Sequence, residues 1–410
     1  NDHAAATIQL KNALAKDPNS GEARFLLGRA LLDSGDAVAA EVELRKARDL
    51  KFSPGRVTPV LARALLAQGQ FKKIHDEVAN GPTETPEDLA DLKTTIAQSF
   101  AMQGKLDAAR SAFEEAVAAK SDFAPALLGL ARIKVMEQDL SGAHAIIDSI
   151  LAKSSANANA WFFKADLLRA ENKAADAITA YEKGIALRPQ ALPAHAALIM
   201  IHLRERKPEL ATKQLDAMQI AAAKHPLTYY MQGLLAYSRK DVSTARSAVE
   251  NLLKVQPDNP QGLQLAGLIA YENRSDTEAQ EYLRKALQKA PGLDFGRRTL
   301  VMSYLRSGQP TKALESLQPV LHGSETRTAW LALAGNAYMQ SGDAKTAEEY
   351  FLRAAKADPE NKQTQTALAM ARMRSGHADE AFADLEQIAS TDTGTSADMA
   401  LIAGSIRQKQ

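Results

Sequence analysis

Residues 158–191 read ANAWFFKADLLRAENKAADAITAYEKGIALRPQA. Trp161, Ala165 and Leu168 mark a first helix, and Ala177, Tyr181 and Gly184 mark a second. A polar turn, Glu171-Asn172-Lys173, separates the two, and Pro189 closes the second, because proline lacks the amide proton a helix interior requires. The stretch is therefore a helical hairpin, and it is not alone. Ala177 has counterparts in register at Ala109, Ala143, Ala211, Ala245, Ala279, Ala313, Ala347 and Ala381, each 34 residues from the next. Counting backward gives Ile74, then Ala40 and Ala6, with one extra residue inserted between the units beginning at Gly55 and Ala90. A period of this size means a repeat architecture.

The frame predicts full repeats over 21–54, 55–89, 90–123, 124–157, 158–191, 192–225, 226–259, 260–293, 294–327, 328–361 and 362–395, with half-repeats 1–20 and 396–410, together a single solenoid over 1–410. The eighth position of a unit is small in nine of eleven cases, Gly28, Gly267 and Gly335 among them, with Ile199 and Val301 as exceptions. Small residues at positions eight and twenty let the two helices nest, and added bulk at either costs about 1–3 kcal/mol. Turns such as Ser34-Gly35-Asp36 and Ser341-Gly342-Asp343 place glycine where a left-handed residue ends one helix and a polar residue where it can cap the next. Two places depart from the pattern. Asn80-Gly81-Pro82 through Pro86 predicts a second helix that ends early and a bend or hinge, and Arg206-Lys207-Pro208-Glu209 predicts a tighter or differently capped turn.

Composition agrees with an all-helical chain. Of 410 residues, 45% are hydrophobic but only 5% aromatic, so alanine and leucine, strong helix formers, supply the apolar content. Lys and Arg number 50 against 49 Asp and Glu, a balance that argues against a dedicated nucleic-acid binder. There is no cysteine, which excludes disulfides, thiolate metal sites and a cysteine nucleophile in this stretch. No apolar run approaches membrane-spanning length, and the opening Asn1-Asp2-His3 is what a fragment of a longer chain would show.

The period, Leu27-Gly28-x-x-Leu31, Ala40 and Leu44-x-x-Ala47, and the near-complete signature Trp161 to Pro189, resemble the tetratricopeptide repeat over the whole chain. The pentatricopeptide type, with a longer period and a basic groove, fits neither spacing nor charge. The resemblance implies an all-α, right-handed superhelical solenoid of antiparallel hairpins whose first helices form a concave wall. Ligand-facing side chains then fall at positions 2, 5, 9, 12 and 13 of each unit. Those positions hold no lysine but many arginines, including Arg29, Arg56, Arg63, Arg132, Arg169, Arg204, Arg298, Arg306, Arg374 and Arg407. They also hold Phe25, Phe162, Tyr230, Tyr237, Tyr271 and Phe295, and seven of the ten methionines, among them Met302, Met339 and Met370. Arginine forks suit acidic partners, and methionine suits varied apolar ones. A solvated, ion-paired face and ordinary packing are the competing readings. The candidate groove residues are Phe25, Arg29, Arg63, Arg132, Phe162, Arg169, Arg204, Tyr230, Tyr237, Tyr271, Phe295, Arg298, Met302, Met339 and Met370, with Tyr229, Tyr230, Tyr237 and Tyr271 as an aromatic patch. The lysine and asparagine clamp for chaperone tails is not matched, since only Asn336 fits.

No hydrolase, zincin, phosphate-loop or dinucleotide motif occurs, so neither enzymatic activity nor a cofactor is expected. His195 and His202 stand about 10.5 Å apart along a helix, too far to share one metal, and occupy packing positions. Segments 9–18, 22–28, 39–47 and 61–70 further resemble the PrsT-type lipoproteins of the PEP-CTERM/exosortase system in bacterial exopolysaccharide loci. That resemblance implies a non-catalytic scaffold, periplasmic or outer-membrane-associated through a lipid anchor outside this chain. Its partners would be other proteins or peptides and anionic polysaccharide, without nucleic acid. The alternative is a cytoplasmic adaptor binding an extended or helical peptide.

Overall fold

The computed structural model describes residues 3–321 and 328–391; the predicted half-repeat 396–410, with Arg407, lies outside the described residues. All regular structure among the described residues is helical. The chain divides into two compact units, residues 1–194 and 195–410.

In the first unit a helix His3–Lys16 leads into hairpins of Gly21–Asp33 with Ala37–Asp49, Pro86–Met102 with Leu106–Ala119, Ala124–Met136 with Leu140–Lys153, and Ala158–Ala170 with Ala174–Leu187. Between the first two hairpins, Pro54–Ala67 pairs with a short helix, Phe71–Lys73, that continues as a π-helix, Ile74–Val78. The second unit follows the same scheme, with Pro226–Ser238 and Val242–Val255, Pro260–Glu272 and Asp276–Lys289, Asp294–Arg306 and Pro310–Leu321, Thr328–Ser341 and Ala344–Ala357, and Lys362–Ser375 and Ala378–Thr391.

Local chemistry sets these boundaries. Asp36, Asp139, Asp241 and Asp343 cap the second helices, accepting hydrogen bonds from the amides of Ala39, Gly142, Thr244 and Thr346 at 2.8–3.1 Å. Asn157, Asn259 and Asn361 do the same for first helices, taking the amides of Ala160, Gly262 and Thr364. Each such cap contributes about 1 kcal/mol. The residue just before the capping position is left-handed in every unit: glycine at 35, 69, 104, 308, 342 and 376, but Gln138, Asn172, Arg206, Lys240 and Arg274 elsewhere. Arg206 has φ 57°, so the backbone of the charged turn is that of the other units and is not tighter, while its capping does differ from the aspartate-capped turns: Lys207 gives no side-chain cap and Pro208 opens the helix.

Packing repeats with the sequence. A Cβ on Gly28 would lie 2.7 Å from Leu44 Cγ, and one on Gly335 would lie 2.7 Å from Phe351 Cε1, so the large residue of the second helix fills the space glycine leaves. The alanines at position twenty, from Ala40 to Ala381, are fully buried. Ile74 is buried in the same place with a larger side chain, and its helix is the one that widens into a π turn. That helix ends at Val78, early as expected, but the next begins at Pro86, ahead of Ala90, with a capping box between Thr85 and Asp88. His195 and His202 are buried, 3% and 4% exposed, as packing residues.

Candidate binding surface

The first helices carry the candidate residues, and the structure sorts them by what each touches. Arg29, Arg63, Arg132, Arg169, Arg204, Phe295, Arg298 and Met370 are exposed. Phe162, Tyr230, Tyr237, Tyr271, Met302 and Met339 are half-buried. Phe25 is 2% exposed, and its assignment to the groove is corrected. It packs against Phe52 at a centroid distance of 5.5 Å, because position five turns toward the linker that follows its own hairpin in this repeat.

The half-buried aromatics divide their surface between packing and solvent. Phe162 lies over Gly184, where a Cβ would come within 2.4 Å of its ring, and the Arg188 guanidinium stands 5.9 Å from its centroid. Tyr230 and Tyr237 pack against the cluster of Ala236, Ala245, Val249, Leu265 and Ile269. Burial pushes the Tyr230 phenol up, and burial together with the carboxylate of Glu272 does so at Tyr237, whose hydroxyl donates to Glu272 Oε1 at 2.7 Å. Tyr271 lies beneath Arg306. The tyrosines are therefore braced rather than gathered into an open patch.

The arginines differ in how firmly they are held. Arg63 stands 3.9 Å from Asp33 and 4.0 Å from Asp91, distances at which exposed pairs contribute little. Burial pushes the Asp91 carboxyl up, with Arg63 pulling the other way. Arg169 is 3.5 Å from Asp166 and donates to the Tyr181 hydroxyl, which itself donates to Asp166. Arg132 lies over Phe163 at 5.5 Å. Among the described residues, Arg29, Arg204 and Arg298 make no ion pair.

One feature brings predicted positions together. Leu305, Asn336, Met339, Gln340 and Arg374 line a shallow depression of about 400 Å³, and they come from the first helices of three successive repeats. Gln340 is fixed there by donating to the Leu305 carbonyl at 2.9 Å. Met339 is among the predicted residues. Asn336 and Gln340 are not, because polar amides carry no distinctive signal in the sequence, although they stand at positions nine and thirteen. Among the described residues, no group of His, Cys, Asp or Glu is placed to hold a metal, and no helix is long and apolar enough to cross a membrane.

Stacked hairpins with two amides, one guanidinium and one thioether converging from neighbouring first helices define a helical repeat scaffold. Family models described as tetratricopeptide repeat match residues 1–54, 100–167 and 304–371, residues 230–294, and residues 158–190. These segments make up more than half of the chain, and the chain belongs to the tetratricopeptide repeat family. Proteins of this family are generally non-catalytic scaffolds that bind other proteins or peptides.

Human Protein O-mannosyl-transferase TMTC3 is 24% identical over 209 residues, covering 50% of this chain and 23% of that protein. Cellulose synthase operon protein C of Pseudomonas fluorescens (strain SBW25) is 31% identical over 141 residues, 32% of this chain and 11% of that protein. The chain thus matches less than a quarter of the length of either relative. The crystal structure of the APC/C hetero-tetramer Cut9-Hcn1 contains a similar fold, with a TM-score of 0.51 at 16% identity over 99% of this chain and 87% of that one.

Proposed function

We propose that this protein is a scaffold for bacterial exopolysaccharide export or PEP-CTERM protein sorting, which binds export components along its first-helix face. The depression formed by Leu305, Asn336, Met339, Gln340 and Arg374 carries this reading, because it draws apolar, amide and cationic groups from three repeats onto one surface. Exposed Arg298 and Phe295 extend that face, and in the first unit Arg29, Arg132 and Arg169 offer forks for carboxylates. The likeness to a protein named for a cellulose synthase operon supports the polysaccharide setting. In this reading the chain is periplasmic or outer-membrane-associated, held by a lipid anchor outside the sequence, and anionic polysaccharide is a second ligand.

The test is capture from a detergent-solubilised envelope fraction of the source organism by the immobilised chain and by an Asn336→Ala/Met339→Ala/Arg374→Ala variant. Export or sorting components retained by the first and lost by the second support the proposal. Equal retention by both, or retention of cytosolic proteins alone, overturns it.

A further inference from the structure

Two guanidinium groups from adjacent repeats converge on one buried ring. Arg29 Cζ lies 5.8 Å and Arg56 Cζ 5.2 Å from the Phe25 centroid, and Arg56 also lies 5.9 Å from that of Phe52. Both arginines are exposed, and among the described residues neither has a carboxylate within ion-pair distance. Asp33 is nearby in the chain, yet it pairs at long range with Arg63 instead. Two like charges gathered without a counter-ion raise the electrostatic energy of the free protein, a cost that an incoming anion removes.

The geometry is constructed by the linker between the repeats. Lys51 has φ 58° and Ser53 φ 35°, left-handed conformations that are unfavourable for any residue with a side chain. Between them Phe52 is set against Phe25, and Ser53 Oγ donates to the Glu84 carboxylate, which ties the linker to the following loop. Arg56 then leaves the first turn of the helix Pro54–Ala67 over both rings. A guanidinium within cation–π range of an aromatic ring and without an ion-pair partner keeps N–H donors for a planar acceptor.

We infer that Arg29 and Arg56 form a subsite for carboxylates of an acidic peptide segment of a protein partner. This rests on the reading that the first-helix face binds partners, and it names the chemistry of one place on it. Phe25 has no ring face exposed, so the subsite offers N–H donors without the aromatic platform on which a sugar ring would lie. Glutamate and aspartate side chains need only those donors, and two arginines from successive repeats suit two acids on an extended strand.

Fluorescence anisotropy of a labelled hexaglutamate peptide, titrated with the full chain at low and moderate salt, tests this. Arg29→Gln/Arg56→Gln should weaken binding roughly tenfold. Arg29→Lys/Arg56→Lys, which keeps both charges, should still lose affinity because the planar fork is gone, and unchanged melting temperatures would show both variants folded. No saturable binding by the parent chain, or equal binding by the glutamine variant, overturns the subsite. An oligogalacturonate that binds through these arginines while hexaglutamate does not overturns the peptide assignment. If hexaglutamate binding depends on Arg29 and Arg56 but the Asn336/Met339/Arg374 variant captures the same envelope proteins as the parent, the subsite stands and the wider proposal falls.

Discussion

Arg306 Cζ sits 3.8 Å from the centroid of the Tyr271 ring, one repeat earlier, while its guanidinium donates to both carboxylate oxygens of Asp276 and to the Tyr271 carbonyl at 2.6–3.0 Å. A residue at a ligand-facing position thus spends its fork on stapling two repeats together.

Replacing Arg306 by lysine should destabilise the second unit by about 1–2 kcal/mol, since the charge remains but the bidentate contact and the ring stacking do not. Chemical denaturation of the two proteins measures the difference. Hydrogen bonds from Arg306, and then Ser303, hold the Asp276 carboxyl below its ordinary 3.8 against the opposing effect of burial. Its folded value is lower than its unfolded one, so the contribution is complete above about pH 4 and is lost as pH falls through the folded value. Asp276→Asn should remove that acid-side loss, and an unaltered acid limb in the variant would show that the pair does not govern it.

The left-handed turn position makes a second expectation, free of packing effects. Nothing lies within 4 Å of a Cβ built on Gly35 or Gly342, so Gly35→Ala costs only backbone strain, about 1 kcal/mol. Lys240→Gly and Arg274→Gly reverse the sign, since both residues hold φ near 60° in the same turn. Thermal melts should place the alanine variant below the parent and the glycine variants at or above it. A fall in all of them would mean that the turn side chains stabilise the hairpin through contacts.

Much of this fold is legible in the sequence because the determinants are local and recur. The hairpin, its caps and its small residues at positions eight and twenty need only neighbours at fixed sequence distance. The turn at Arg206 is harder to read, because it demands only a left-handed residue, which the surrounding hairpin imposes, and glycine is merely its commonest sign. The binding face is less legible still. Phe25 and Arg306 occupy ligand-facing positions, yet one is taken up by Phe52 and the other by Asp276, partners set by the linker and by the preceding helix. Position in the repeat gives the direction of a side chain but not whether another residue has already claimed it.

The π-helix supplies a pH-dependent expectation. His75 Nε2 is 2.9 Å from Ser99 Oγ, and its ring centroid is 4.5 Å from that of Phe100. Burial, then the charge of Lys105, hold the imidazole below its ordinary 6.5, with Asp76 opposing. The neutral ring is therefore the form that packs. With the folded value below the unfolded one, this contribution is present above pH 6.5 and is lost as pH falls through the folded value. Protection of the Ile74–Val78 amides, taken relative to their intrinsic exchange rates, should fall on that acid side, and His75→Phe, which keeps a ring against Phe100 without a titrating group, should abolish the dependence. An identical acid-side loss of protection in both proteins would place the cause elsewhere.

The close helix contact at Gly335 allows a compensation experiment. Gly335 faces Phe351, which is 1% exposed and has no room to withdraw, so Gly335→Val should cost about 1–3 kcal/mol. One repeat earlier, the equivalent positions hold Val301 and Leu317, both fully buried in one cluster. The same architecture thus accepts bulk in the first helix when the residue opposite is smaller than phenylalanine. Phe351→Leu alone should also destabilise, by leaving space beside glycine. Combining Gly335→Val with Phe351→Leu recreates the Val301–Leu317 pairing and should cost less than the sum of the single changes, an interaction that denaturant midpoints of the four proteins would resolve. Strict additivity would mean that Gly335 and Phe351 do not limit each other's size and that helix approach in this hairpin is set by some other contact.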